Sequence, residues 1–312
     1  MNAAVLVDGY AEGGRKRARA QLEEFWFAVS GHGEVFNPLE HIPFANLFHQ
    51  WGLDWWTKLN PWEALSRQFS PYELNPMNYN PLRDLLHEMI NCHNMSKSPI
   101  KLFVTATNVE TGQPKIFSGH EIGVDSLLAS GCLPFLFQSE MIDGVPYWDG
   151  GYTGNPSLWP LYYRSDCEDI LLVQINPLQR PGAPKNAMNI IDRLNEITFN
   201  ASLIDEMRAI NFVKKLIARG KLEASEYADV RMHMVAPPST LQGMEASSKT
   251  VVDWDFFCTL RDAGRAEMEA WLGKHKSAIG RRATIDIAKD FLAAPKHADA
   301  THATMNPSWR EG

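Results

Sequence analysis

The sequence predicts a single α/β domain with a central, mostly parallel sheet flanked by helices. Three observations lead there. Short apolar runs of strand character alternate along the chain with segments of helical period. One run, residues 169–175 (Asp-Ile-Leu-Leu-Val-Gln-Ile), is apolar almost without interruption, the pattern of a strand buried on both faces. No internal repeat and no linker composition divides the chain. Residues 1–293 are therefore expected to be one domain, and residues 294–312, which lack any period, a disordered tail.

The composition sets outer bounds. The chain has 312 residues, 45% hydrophobic and 21% charged, which suits an ordinary globular core and excludes wholesale disorder and collagen-like repeats. The net charge of −7 argues against a general nucleic-acid binder, whose affinity would rest on phosphate neutralisation. No apolar window reaches the roughly eighteen residues of a transmembrane helix. Four scattered cysteines (Cys92, Cys132, Cys167 and Cys258) form no C-x-x-C pair, so reduced thiols are expected. The short run Ala3-Ala4-Val5-Leu6-Val7 has no basic residue before it and is no signal peptide, so the expected compartment is cytoplasmic.

In chain order, residues 1–9 read as a buried helical segment, and Gly13-Gly14 separates it from a second helix over 15–30. There Ala18, Leu22, Phe25, Trp26 and Val29 share a face, with Arg15, Lys16, Arg17 and Arg19 on the other side, read first as a solvated helix face and otherwise as a phosphate or membrane-surface patch. Residues 36–79 are rich in Pro, Asn and Trp and read as an irregular excursion. In it Phe44, Leu47, Phe48, Trp51 and Trp55 make a helical stripe, which packs on the domain or, as an aromatic cap, meets a membrane surface. Asn80-Pro81 starts a helix with Leu82, Leu85, Leu86, Met89 and Ile90 inside. Residues 100–107 form a strand, Thr111-Gly112 a turn, 115–117 a second strand and 123–130 a short helix. Asp143-Gly144 marks a hairpin whose second strand, 145–148, leads into Asp149-Gly150-Gly151. A long helix over 187–218 carries Ile190, Leu194, Ile197, Ile204, Met207 and Ile210 and ends near Gly220. A strand over 230–235 and helices over 255–274 and 283–293 complete the reading.

The candidate chemistry sits at Asp149. A carboxylate at a strand end, followed by two glycines, projects from the sheet while the backbone turns away, and it can accept a proton from a hydroxyl nucleophile. On its own Asp-Gly-Gly is equally a common turn sequence. Other segments surround it: Tyr79-Asn80-Pro81-Leu82-Arg83-Asp84, Ala106-Thr107-Asn108-Val109-Glu110-Thr111-Gly112, Ser118-Gly119-His120, Leu133-Pro134, Asn155-Pro156 and Glu196-Ile197-Thr198-Phe199-Asn200. Together with Asp149-Gly150-Gly151 they resemble the patatin-like phospholipase family over nearly the whole of residues 1–292. That resemblance implies a lipid acyl hydrolase working with a Ser-Asp dyad. A serine attacks the acyl carbonyl, Asp149 takes its proton as general base, a glycine-rich loop holds the oxyanion and water cleaves the acyl-enzyme. No cofactor, metal or histidine is required, so His93 and His120 are expected to be packed or capping residues. The implied partners are a lipid acyl ester and a membrane surface.

The sequence departs from the family in one respect. It contains no G-x-S-x-G elbow and no glycine-rich oxyanion loop. By the resemblance, Met1-Asn2-Ala3-Ala4 matches the first turns of the helix after the elbow, which puts the nucleophile about four residues before Met1. The expectation is thus a patatin-like domain with its first strands and nucleophile elbow missing, and no ester hydrolysis by the chain as written. The alternative is a non-catalytic lipid-binding or scaffold protein on the same fold. Ser118 and Ser157 fit no elbow and are not expected to substitute as nucleophile. Removal of central strands should also leave the 169–175 strand with an unpaired, apolar edge.

Overall fold

A computed structural model describes residues 1–31, 69–134, 136–165, 167–180, 182–223, 226–237 and 252–293. The 44–55 aromatic stripe and the 294–312 tail lie outside the described residues. Helices and strands are mixed, as expected of an α/β chain.

Helix α1 (Asn2–Gly31) bends where expected, since Gly13 and Gly14 leave helical geometry inside it. Its inner face buries Val5, Phe25 and Val29, while Arg17 on the outer face is paired with Glu12 and Glu24. Helix α2 (Pro71–Leu74) is one turn. Helix α3 (Pro81–Met89) begins as the sequence dictates, with Asn80 Oδ1 accepting from Leu82 N at 3.1 Å and Pro81 in the first turn. The short α4 (Cys92–Lys97) follows at once, capped by Asn91.

Strands β1 (Phe103–Asn108) and β2 (Pro114–Ser118) form an antiparallel pair. The turn between them is held by Asn108 Oδ1, which accepts from Glu110 N and Thr111 N, and by Gly112 at φ +67°. Helix α5 (Val124–Ala129) crosses to a hairpin of β3 (Glu140–Ile142) and β4 (Val145–Asp149). At its tip Asp143 (φ 52°) and Gly144 (φ 80°) take the left-handed pair of a two-residue turn. Strand β4 pairs antiparallel with the free side of β1, so the order is β2-β1-β4-β3.

The mostly parallel central sheet is therefore corrected. The four-stranded sheet is antiparallel, because tight connections such as 109–113 and the Asp143–Gly144 turn can only send the chain straight back. Parallel pairing occurs between β5 (Asp169–Val173) and β6 (Arg231–Val235), which the long crossover helix α7 (Ala187–Ala218) separates. The short α6 (Trp159–Arg164) leads into this unit.

Strand β5 is not buried on both faces. Ile170 and Leu172 point into the core with Leu203, Met207 and Ile210 of α7. Leu171, Val173 (65% exposed) and, past the strand end, Ile175 (70% exposed) lie open to solvent. The helix covers one face of the two-stranded sheet; on the other, Trp271 and the segment through Gly280 and Thr284 cover His233 of β6 but leave Leu171 and Val173 of β5 open. The stripe on α7 is split in the same way: Met207 and Ile210 are buried, but Ile190, Leu194 and Ile197 on its first half are exposed.

Helix α8 (Trp254–His275) stands edge-on to α1 through Phe257 against Trp26, with ring centroids 5.2 Å apart. The helix expected over 283–293 shrinks to α9 (Ile287–Asp290). Thr284 N instead donates to Met232 O beside β6, and Asp286 caps the helix by accepting from Ala288 N and Lys289 N. Buried apolar side chains fall into two clusters, one under α1, α3, α5 and the antiparallel sheet, the other around α7, β5 and β6. Among the described residues no helix is long and apolar enough to cross a membrane.

Candidate active site

Asp149 is the last residue of β4 and lies opposite Ala106 of β1. Its backbone is fixed on both sides: the N–H donates to Cys132 O at 2.9 Å, and the carbonyl accepts from Thr107 Oγ1 at 2.8 Å. The chain then tightens into a single 3₁₀ turn, Gly150–Tyr152, and Asp149 Oδ1 caps it by accepting from Gly151 N at 2.7 Å. No hydrogen bond from the described residues reaches Oδ2. One oxygen is thus pinned and the other left unbonded, the arrangement a general base needs.

Both glycines are there for space. A Cβ on Gly150 would run into the carbonyl of Thr105 on β1. One on Gly151 would sit 2.6 Å from the ring of Phe199 on α7. The Asp149 turn is thereby wedged between the antiparallel sheet and the long helix. Beyond it Tyr152 packs its ring on Phe199, Asn155 N donates to Ser202 Oγ, and Leu158 N donates to Glu206, so the segment runs from one core cluster along α7 to the other.

Burial pushes the Asp149 carboxyl above the ordinary carboxylate value, outweighing the Gly151 N–H and the Met1 α-ammonium that pull it down. The amino group of Met1, at the start of α1, is itself pushed down by burial and held up by Asp149. The nearby Cys132 is no rival nucleophile. Burial, with help from the Glu140 carboxylate, pushes its thiol up to about 12, and its Sγ donates to Gln138 O.

The other residues considered from the sequence lie elsewhere. Ser118 ends β2 opposite Phe103, three residues along β1 from the Asp149 position, with its Oγ facing Arg164. The Ser157 hydroxyl folds back over Gly154. Thr107 meets the Asp149 carbonyl rather than its carboxylate. Among the described residues, then, no serine hydroxyl is bonded to the Asp149 carboxylate. His93 and His120 are exposed rather than packed, and neither side chain caps a helix.

The structure also assembles a cluster that periodicity alone does not flag. His233 on β6, 1% exposed, bonds Asp169 Oδ1 through Nε2 at 2.9 Å and Thr284 Oγ1 through Nδ1 at 3.1 Å. Asp169 also takes Arg231 and the Gly280 N–H. The only sequence signal is a histidine set between methionines in an apolar strand. With the imidazole sealed and the carboxylate fully engaged, the cluster ties β5, β6 and the segment before α9 together. Among the described residues no group of three or more His, Cys, Asp or Glu is placed to hold a metal ion.

Comparison of the chain with models of known protein families and with curated proteins finds no match. The functional reading therefore rests on the residues themselves.

Proposed function

We propose that this chain carries the general-base half of a patatin-like lipid acyl hydrolase, with Asp149 accepting the proton of a serine nucleophile. The observation that carries the reading is the buried Asp149 carboxylate at the end of β4, capped on one oxygen by its own turn. Its Oδ1 is pinned by Gly151 N, burial raises its proton affinity, and the Met1 α-amino group just before α1 lies within electrostatic reach of it. By the family resemblance, a nucleophile carried just upstream of that helix, in a longer form of the chain, would give its proton to this carboxylate. A turn residue has no need of burial that raises its basicity, and a proton acceptor gains from it. The substrate class, carboxylic esters of lipids, follows from the family resemblance. By this reading the 312 residues alone hydrolyse no ester.

The decisive experiment starts from the reading frame upstream of the Met1 codon. The expected result is a G-x-S-x-G segment ending just before Met1. The extended protein should then cleave a short-chain p-nitrophenyl ester, and serine-to-alanine substitution in that segment should abolish cleavage. A frame that encodes no such elbow, or an extended protein carrying one but inert toward esters, overturns the reading.

A further inference from the structure

At the other end of β1 from Asp149, about 10 Å along the strand, lies a cavity of about 330 Å³ that the proposed dyad does not use. It opens between the end of α4, the segment entering β1, the end of β2 and the end of α6. Its inner wall is apolar, with Met95 and Ile122 both buried. Its rim carries Lys101, Arg164, Ser98 and Ser118.

Both cationic side chains border this one cavity. Lys101 Nζ donates to the backbone carbonyl of Arg164 at 2.9 Å. The Arg164 guanidinium is braced over the Trp159 ring, 5.7 Å from its centroid, and reaches Ser118 Oγ only at 3.5 Å. Neither cation meets a carboxylate among the described residues. Glu121, which follows β2, is already occupied by Lys115 at 2.6 Å and by Ser118 N. Two cationic side chains on the rim of one cavity, without a carboxylate partner among the described residues, favour an anion there. The donors suit a tetrahedral oxyanion: an arginine fork, an ammonium and a serine hydroxyl that accepts from Arg164 and keeps its own proton to give.

We propose that this cavity binds a phosphate group, with the Lys101 and Arg164 charges on its oxygens and the carbon side of a phosphate ester against Met95 and Ile122. The same chemistry could be presented by a soluble phosphate or by a phospholipid headgroup. The proposal is independent of the role given to Asp149.

The test uses the full chain. Thermal melts in inorganic phosphate are compared with chloride at matched ionic strength. Sedimentation is compared with phosphatidylcholine vesicles with and without phosphatidic acid. Lys101→Gln, an exposed position, and the Lys101→Gln/Arg164→Gln double variant are run beside the wild type, with melts in chloride as the fold control. A phosphate-dependent rise in Tm is expected in the wild type, with affinity about tenfold weaker for each charge removed. That outcome assigns the soluble source. Sedimentation that depends on phosphatidic acid and is lost in Lys101→Gln, without a response to free phosphate, assigns the lipid source. No response in either arm, or responses unchanged in both variants, overturns the proposal.

Discussion

The α-amino group of Met1 and the carboxylate of Asp149 share one corner of the molecule, where each shifts the other's titration. Burial lowers the amine and Asp149 holds it up; burial raises the carboxyl and the amine holds it down. The start of the first helix and the end of β4, far apart in sequence, thus lie within electrostatic reach of each other at the candidate base.

This relationship can be measured directly. Asp149→Asn removes the carboxylate charge that favours the ammonium, so the α-amino group should titrate at lower pH than in the wild type. The pH dependence of its acylation rate, or its ¹⁵N chemical shift, reports the change. Asp143→Asn, in the exposed hairpin turn, should leave it unmoved.

The two glycines of the turn should respond unequally to a methyl group. Gly150→Ala drives Cβ into the Thr105 carbonyl, a backbone atom of a paired strand that cannot step aside. A loss of about 2 kcal/mol or more in urea unfolding is expected. At Gly151 the obstacle is the edge of the Phe199 ring, which can rotate, and the loss should be about half as large. Equal losses would mean that the α7 side of the wedge is as rigid as the sheet.

Much of this geometry was legible in the sequence because local chemistry decides it. The Asn80–Pro81 start of α3, the Asp143–Gly144 turn and the delivery of Asp149 by a short strand need only neighbouring residues. Sheet direction was not legible. The apolar run at β5 fits a doubly buried strand, but the cover on the Leu171–Val173 face, Trp271 with the segment through Gly280 and Thr284, sits over β6 and leaves these two side chains open. His233 was hidden for a similar reason. Its partners Asp169, Thr284 and Trp271 come from three distant segments.

That cluster predicts an acid limb. The Arg231 guanidinium, ahead of the His233 and Gly280 hydrogen bonds, holds Asp169 well below the usual carboxylate range. A folded-state pKa below the unfolded one adds stability that is complete above the unfolded value of about 3.9 and is lost as the pH falls toward the folded one. Asp169→Asn should lower Tm by a few degrees at neutral pH and flatten its fall below about pH 5. Parallel Tm profiles for the two proteins would show that Asp169 contributes no such term.

The candidate base separates from a turn residue by a matched pair of substitutions in a catalytically complete, upstream-extended protein. Asp149→Asn keeps the oxygen that caps the 3₁₀ turn by accepting from Gly151 N, so the fold should stand, but an amide cannot take the serine proton. General-base assistance is worth about a hundred- to ten-thousand-fold, so kcat should fall at least about a hundredfold. KM should hardly change, since the carboxylate acts mainly in the transition state. Because burial raises the Asp149 pKa, the acid limb of kcat/KM should lie above the ordinary carboxylate value, where the group is ionised and able to accept. Asp143→Asn precedes a glycine as well, but at φ 52° it occupies a left-handed turn position that asparagine fills readily. Its rate should stay within a few-fold of the wild type. Full activity in both variants would reduce Asp149 to a cap for its own turn, and a hundredfold loss confined to Asp149→Asn would place the proton transfer on its carboxylate.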